Sequence, residues 1–78
     1  MTYRFSARAL SLLHGPYFVY ADALQNLLRE IAVMSEADFV TKYGSSGSIA
    51  LKLGKSNIDV LFTAQGSIIY VSDIREVR

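Results

Sequence analysis

Apolar positions along this chain recur with two different periods, and the change between them falls at the stretch GSSGS, Gly44 to Ser48. Up to that point they return at three- and four-residue steps, the spacing of a helix face; beyond it they alternate, the spacing of a strand. Tyr17, Tyr20, Ala21, Leu24, Leu27, Leu28, Ile31 and Met34 form one stripe, opposite Asp22, Gln25, Asn26, Arg29 and Glu30. They predict a long amphipathic helix from Pro16 to Met34, with Pro16 in a first turn where its missing N–H would be unpaired anyway. An alternative makes Tyr17 to Tyr20 a strand and starts the helix at Asp22, capped by that carboxylate with Gln25 three residues on. Ahead of it, Ser6 caps a short helix from Ala7 to His14 that stops at Gly15, and Thr2 to Phe5 reads as a short strand. Behind it, SEADFVTKYG predicts a third helix. Ser35 is its cap, Glu36 and Asp38 favour the positive end of its dipole, Lys42 lies near the negative end and Gly44 supplies the stop.

After Gly47, two turn signals divide the chain into three short strands, about Ile49 to Leu53, Ile58 to Thr63 and Ile68 to Ser72. Short loops make them antiparallel neighbours. If GKSN closes the first hairpin, Leu53 faces Ile58, Lys52 faces Asp59, Leu51 faces Val60, Ala50 faces Leu61 and Ile49 faces Phe62, which sets a cation opposite an anion. If Gln65 and Gly66 form the second turn, Val60 faces Val71, Leu61 faces Tyr70 and Phe62 faces Ile69. One face then collects Ile49, Leu51, Leu53, Ile58, Val60, Phe62, Ile69 and Val71 and is the expected core. The other collects Ala50, Lys52, Asp59, Leu61, Thr63, Ile68, Tyr70 and Ser72. Leu61, Ile68 and Tyr70 make an apolar cluster on that face which a solvated surface does not require. Either the amino-terminal segment covers it, or it meets another chain. The last strand is expected to be a free sheet edge.

The predicted architecture is therefore α+β in a single domain over residues 1–78, amino-terminal helices packed on a carboxy-terminal three-stranded antiparallel meander. A domain of this size buries only about 60% of the surface its unfolded chain exposes. Yet 51% of its residues are hydrophobic and mean hydropathy is positive, which points to a partner or a homodimer. Without cysteine there is neither a disulfide framework nor a thiolate metal site. Eight Lys and Arg against seven Asp and Glu predict no long-range attraction to nucleic acid or acidic membrane. The uncharged run Ala9 to Ala21 is too short and too interrupted to span a bilayer. Arg4 and Arg8 before apolar residues, with the small-x-small triplet Ala21 to Ala23, imitate a signal peptide. Gly15 and Pro16 break that segment, and a cytoplasmic protein is expected.

Candidate chemistry changes this picture little. GSSGS leaves a helix and enters a strand, the reverse of a phosphate-binding loop, and GKSN lacks the upstream glycine such a loop needs. A single histidine, His14, cannot build a metal site or a relay within one chain, and its place is the carboxyl end of the first helix. The carboxylates Asp22, Glu30, Glu36, Asp38, Asp59, Asp73 and Glu76 read as caps, surface charges or a cross-strand pair, and no serine sits in a nucleophile elbow. The expectation is a protein without catalytic residue, cofactor or metal, binding a larger protein or protein complex through Leu61, Ile68, Tyr70 and Lys52. Small inhibitors that occlude a partner, of the anti-CRISPR, immunity or antitoxin kind carried by phages and mobile elements, are the analogous class by size and composition alone. The alternatives are a small RNA- or DNA-binding protein using Tyr3, Arg4, Arg8 and Lys55, and a self-associating subunit.

Overall fold

A computed structural model describes residues 1–77. Thr2–Phe5 forms a strand (β1), Ala7–Leu13 a helix (α1), Phe18–Tyr20 a 3₁₀ turn, Ala21–Ala32 the main helix (α2) and Glu36–Tyr43 a third helix (α3). Ser46–Leu53, Ser56–Gln65 and Ile68–Val77 are the strands β2, β3 and β4. The fold is α+β, with the three strands in an antiparallel meander and β1 added parallel to β4, so that the sheet order is β1-β4-β3-β2.

The helix ends follow local chemistry. The Ser6 hydroxyl accepts from the Ala9 N–H at 3.0 Å and that of Ser35 from the Asp38 N–H at 3.1 Å, each satisfying one orphan donor of a first turn. Gly44 ends α3 with φ +86°, a conformation only glycine adopts without strain. The long helix expected from Pro16 begins instead at Ala21. The N–H groups of Gly15 and Tyr17 both turn back to the Leu12 carbonyl, at 3.3 and 2.9 Å, and Pro16 between them has no N–H to donate. Tyr17 to Tyr20 is therefore neither α-helix nor strand but holds the 3₁₀ turn, and Asp22 caps nothing, because the capping position is Tyr20 and makes no side-chain bond.

The first hairpin closes more tightly than expected, and the second keeps a two-residue turn but moves it one residue on, to Gly66 and Ser67. Gly54 and Lys55 alone form the first turn, so Leu53 meets Ser56, Leu51 meets Ile58 and Ile49 meets Val60. The predicted pair Lys52 with Asp59 is not made: Lys52 stands opposite Asn57, and Asp59 stands between Ala50 and Arg75. In the second hairpin Gln65 meets Ile68, Thr63 meets Tyr70 and Phe62 meets Val71. Each register differs from the expected one by two residues in pairing, which leaves every side chain on its predicted face. Beyond Phe62 the pairing shifts, Leu61 meeting Asp73, so Ser72 is an extra residue in β4. This bulge reverses the alternation and lets Val71 and Ile74 both point into the core.

All the helices lie on that core side. Ile49, Leu51, Ile58, Val60, Phe62, Ile69, Val71 and Ile74 are buried against Ala9 and Leu13 of α1, Leu24, Leu28 and Ile31 of α2, and Phe39 of α3. Leu53, expected in this core, is 45% exposed because it ends the outermost strand at the turn. Nor is β4 a free edge. β1 lies along it from Thr2 to Phe5, the Ser6 N–H then donates to the Val71 carbonyl at 2.9 Å, and the Ser6 hydroxyl donates to that of Ser72 at 2.8 Å. The free edges are β1 and β2.

Candidate interaction surface

The face of the sheet away from the helices carries the even residues of β1 and β2, the odd ones of β3, and in β4 Ile68, Tyr70 and, past the bulge, Asp73 and Arg75. The amino-terminal segment does not cover it, since β1 extends the sheet sideways and α1, α2 and α3 pack on the other side. Tyr70 is 41% exposed at its centre, opposite Thr63 on β3 and in register with Arg4 on β1. Ile68 is its same-face neighbour along β4, and Leu61 lies diagonally across on β3, within side-chain reach by sheet geometry. The structure thus sets Tyr70 between Leu61 and Ile68, which flank it on opposite sides four residues apart in the register and do not meet each other, and adds Arg4 beside Tyr70. Lys52 shares the face but not the cluster. Its partner Asn57 is four residues from Leu61 along β3, about 13 Å at strand rise.

The four residues of the nucleic-acid alternative scatter. Arg4 lies on the open face, Tyr3 turns to the helix side, Lys55 occupies the far hairpin turn, and Arg8 is engaged by Asp73 at 3.0 Å. Asp73 owes its position to the bulge at Ser72. The Ile74 N–H donates to its carboxylate at 2.8 Å and the Arg8 side chain at 3.0 Å, and these two bonds, in that order, hold its pKa below the ordinary carboxylate value. Arg75 adds a weaker attraction at 4.0 Å.

On the helix side a groove of about 260 Å³ opens between β1, α1 and α2. Tyr3, Leu10 and Phe18 line it and are themselves exposed, Phe18 by 68%, while His14 and Gln25 add polar atoms to an otherwise apolar wall. Sequence reasoning missed this groove. Its local trace is Phe18, a large apolar residue shortly after Pro16 that the assumed helix made unremarkable. His14 lies at the carboxyl end of α1 as expected, with its backbone N–H on the Leu10 carbonyl at 3.1 Å, although the helix ends at Leu13 and His14, not Gly15, is the capping position.

Among the described residues no group of three or more His, Cys, Asp or Glu side chains is placed to hold a metal ion, and no helix is long and apolar enough to cross a membrane. Comparison with protein-family models, with curated proteins and with solved structures returns no match.

Proposed function

We propose that this protein is a non-enzymatic protein-binding module that docks the open face of its sheet on a larger protein or protein complex and blocks or assembles it. The observation that carries this reading is the exposed Tyr70 on an uncovered face, flanked by the half-buried Leu61 and Ile68 and with Arg4 beside it. An aromatic ring and a guanidinium next to aliphatic side chains are the composition of interface hot spots, and a rigid four-stranded sheet presents them at little entropic cost. An inhibitor of the occluding kind fits this reading, since such a protein needs a surface and no catalytic group. Only Arg4 of the nucleic-acid set remains on this face, so that reading has no assembled surface behind it.

The test uses the protein as bait in lysate of its source cell, with capture read by mass spectrometry. A partner retained by the native chain is expected to be lost with Tyr70→Ala and with Leu61→Asp, each weakening binding by about 30-fold or more, while circular dichroism remains native. Val33→Asp, on the exposed end of α2, serves as the control and retains it. Equal capture by all four proteins sinks the proposed face.

A further inference from the structure

We infer that β2 is a self-pairing edge, and that two copies of this chain join through it into one continuous eight-stranded sheet. The observation is the direction of its backbone groups. The Ala64 N–H donates to the Ser45 carbonyl at 2.7 Å, which makes that pair a hydrogen-bonded one. Antiparallel pairs alternate, so in the same register Gly47, Ile49, Leu51 and Leu53 direct both backbone groups to β3. Ser46, Ser48, Ala50 and Lys52 direct theirs outward. From Ser48 to Lys52 the strand is a straight, unoccupied template with no proline and no bulge, and of the devices that usually blunt an edge it carries one, Lys52.

Such an edge selects an extended backbone, and its side chains favour a second copy of themselves. In a two-fold register centred on Ala50, Ala50 meets Ala50 of the second copy and Ser48 meets its Lys52, in about six backbone hydrogen bonds. The only charge on the strand, Lys52, is thereby kept from its own counterpart and placed against a hydroxyl. A register centred on Lys52 would oppose two ammonium groups and is disfavoured by like-charge repulsion. On the helix side Ile49 meets Leu51 of the second copy. These two are the least enclosed residues of the core, 9% exposed each, and the pairing extends the apolar layer across the seam. Gly47, whose φ of +140° breaks the regular strand, falls opposite the exposed Leu53. Because the two-fold axis stands perpendicular to the sheet, both helix layers lie on one side and both Tyr70 faces on the other. The assembly needs only the edge, so it stands or falls independently of the open-face reading.

The experiment is sedimentation velocity of the native chain and three variants from about 10 µM to about 1 mM, the range in which a short strand-pairing contact associates. The native mass is expected to rise from monomer to dimer. Ser48→Glu, which sets a carboxylate against Lys52 of the second copy at both ends, is expected to tighten the dimer about 2- to 10-fold, and Ser48→Lys to weaken it by a similar factor. Ala50→Pro removes an outward N–H while leaving the bonds to β3, and is expected to leave a monomer with native circular dichroism. If Ala50→Pro disturbs the fold, the two Ser48 variants decide. A native monomer throughout the range overturns the inference, as does a dimer that neither Ser48 variant shifts.

Discussion

Phe39 is fully buried, its ring edge-on to Phe62 at a centroid distance of 5.4 Å and tilted against Tyr43 at 5.0 Å. It is the only fully buried side chain of α3, with the partly buried Tyr43 packed on the same cluster, so it is the main anchor of that helix to the sheet. Phe39→Ala is expected to cost about 3–5 kcal/mol, by lost transfer energy and the cavity left behind. A domain of this size holds about 4–12 kcal/mol in total, so urea denaturation should find the variant largely unfolded or close to it. Asp73 offers a pH test. Its folded pKa is depressed, so its contribution is present above the unfolded value of 3.8 and is lost as pH falls through the lower folded value. The Tm difference between native and Asp73→Asn at low salt is therefore expected at pH 6 and should shrink towards about pH 2; a constant difference rejects the assignment. The buried identities of Ile49, Val60, Phe62 and Ile69 were legible as alternation. Asp73 was not, because its partner Arg8 lies far away in sequence and no spacing rule joins them.

Caps and turns were the elements most plainly written in the chain, and they can be compared with each other. Ser35 makes one capping bond, whereas Ser6 accepts from Ala9 and also donates to the Ser72 carbonyl on β4. Ser35→Ala is expected to cost about 1 kcal/mol and Ser6→Ala about 1–2 kcal/mol more, measured by chemical denaturation; equal costs would mean the bond to Ser72 contributes nothing. Strand faces survived a wrong register because a shift of two residues preserves the side of every side chain. The bulge was hidden for the opposite reason: Val71 and Ile74 are three apart, and apolar residues at that spacing look like the end of a strand rather than its continuation. The merging of the Gly15–Tyr17 turn into one long helix came from a similar ambiguity, since Tyr17 and Tyr20 fit the helical stripe while belonging to a turn.

At the scale of the molecule, what sequence could not show is which edges the sheet leaves open. The parallel pairing of β1 with β4 joins Thr2 to Ile68 without any local signal, and it moves that free edge from β4 to β1, while β2 stays open at the other side. The groove between β1, α1 and α2 likewise exists only after those three elements meet. The open face itself was anticipated from Leu61, Ile68 and Tyr70, and its uncovered state follows from β1 extending the sheet instead of folding over it.

That long-range pairing also sets an order of events. The meander needs only two-residue turns to close, whereas β1 must find β4 across almost the whole chain, a loop whose closure entropy is of the order of 4 kcal/mol. β1 should dock late, after the barrier, on a meander already formed. Phe5→Ala is then expected to accelerate unfolding and leave refolding almost unchanged, while Ile58→Val slows refolding, both readable from stopped-flow chevrons. In a refolding chain the same order leaves β4 with an unoccupied edge of its own until the first strand returns to it, so the molecule passes through a brief interval in which both sides of its meander can recruit a stranger.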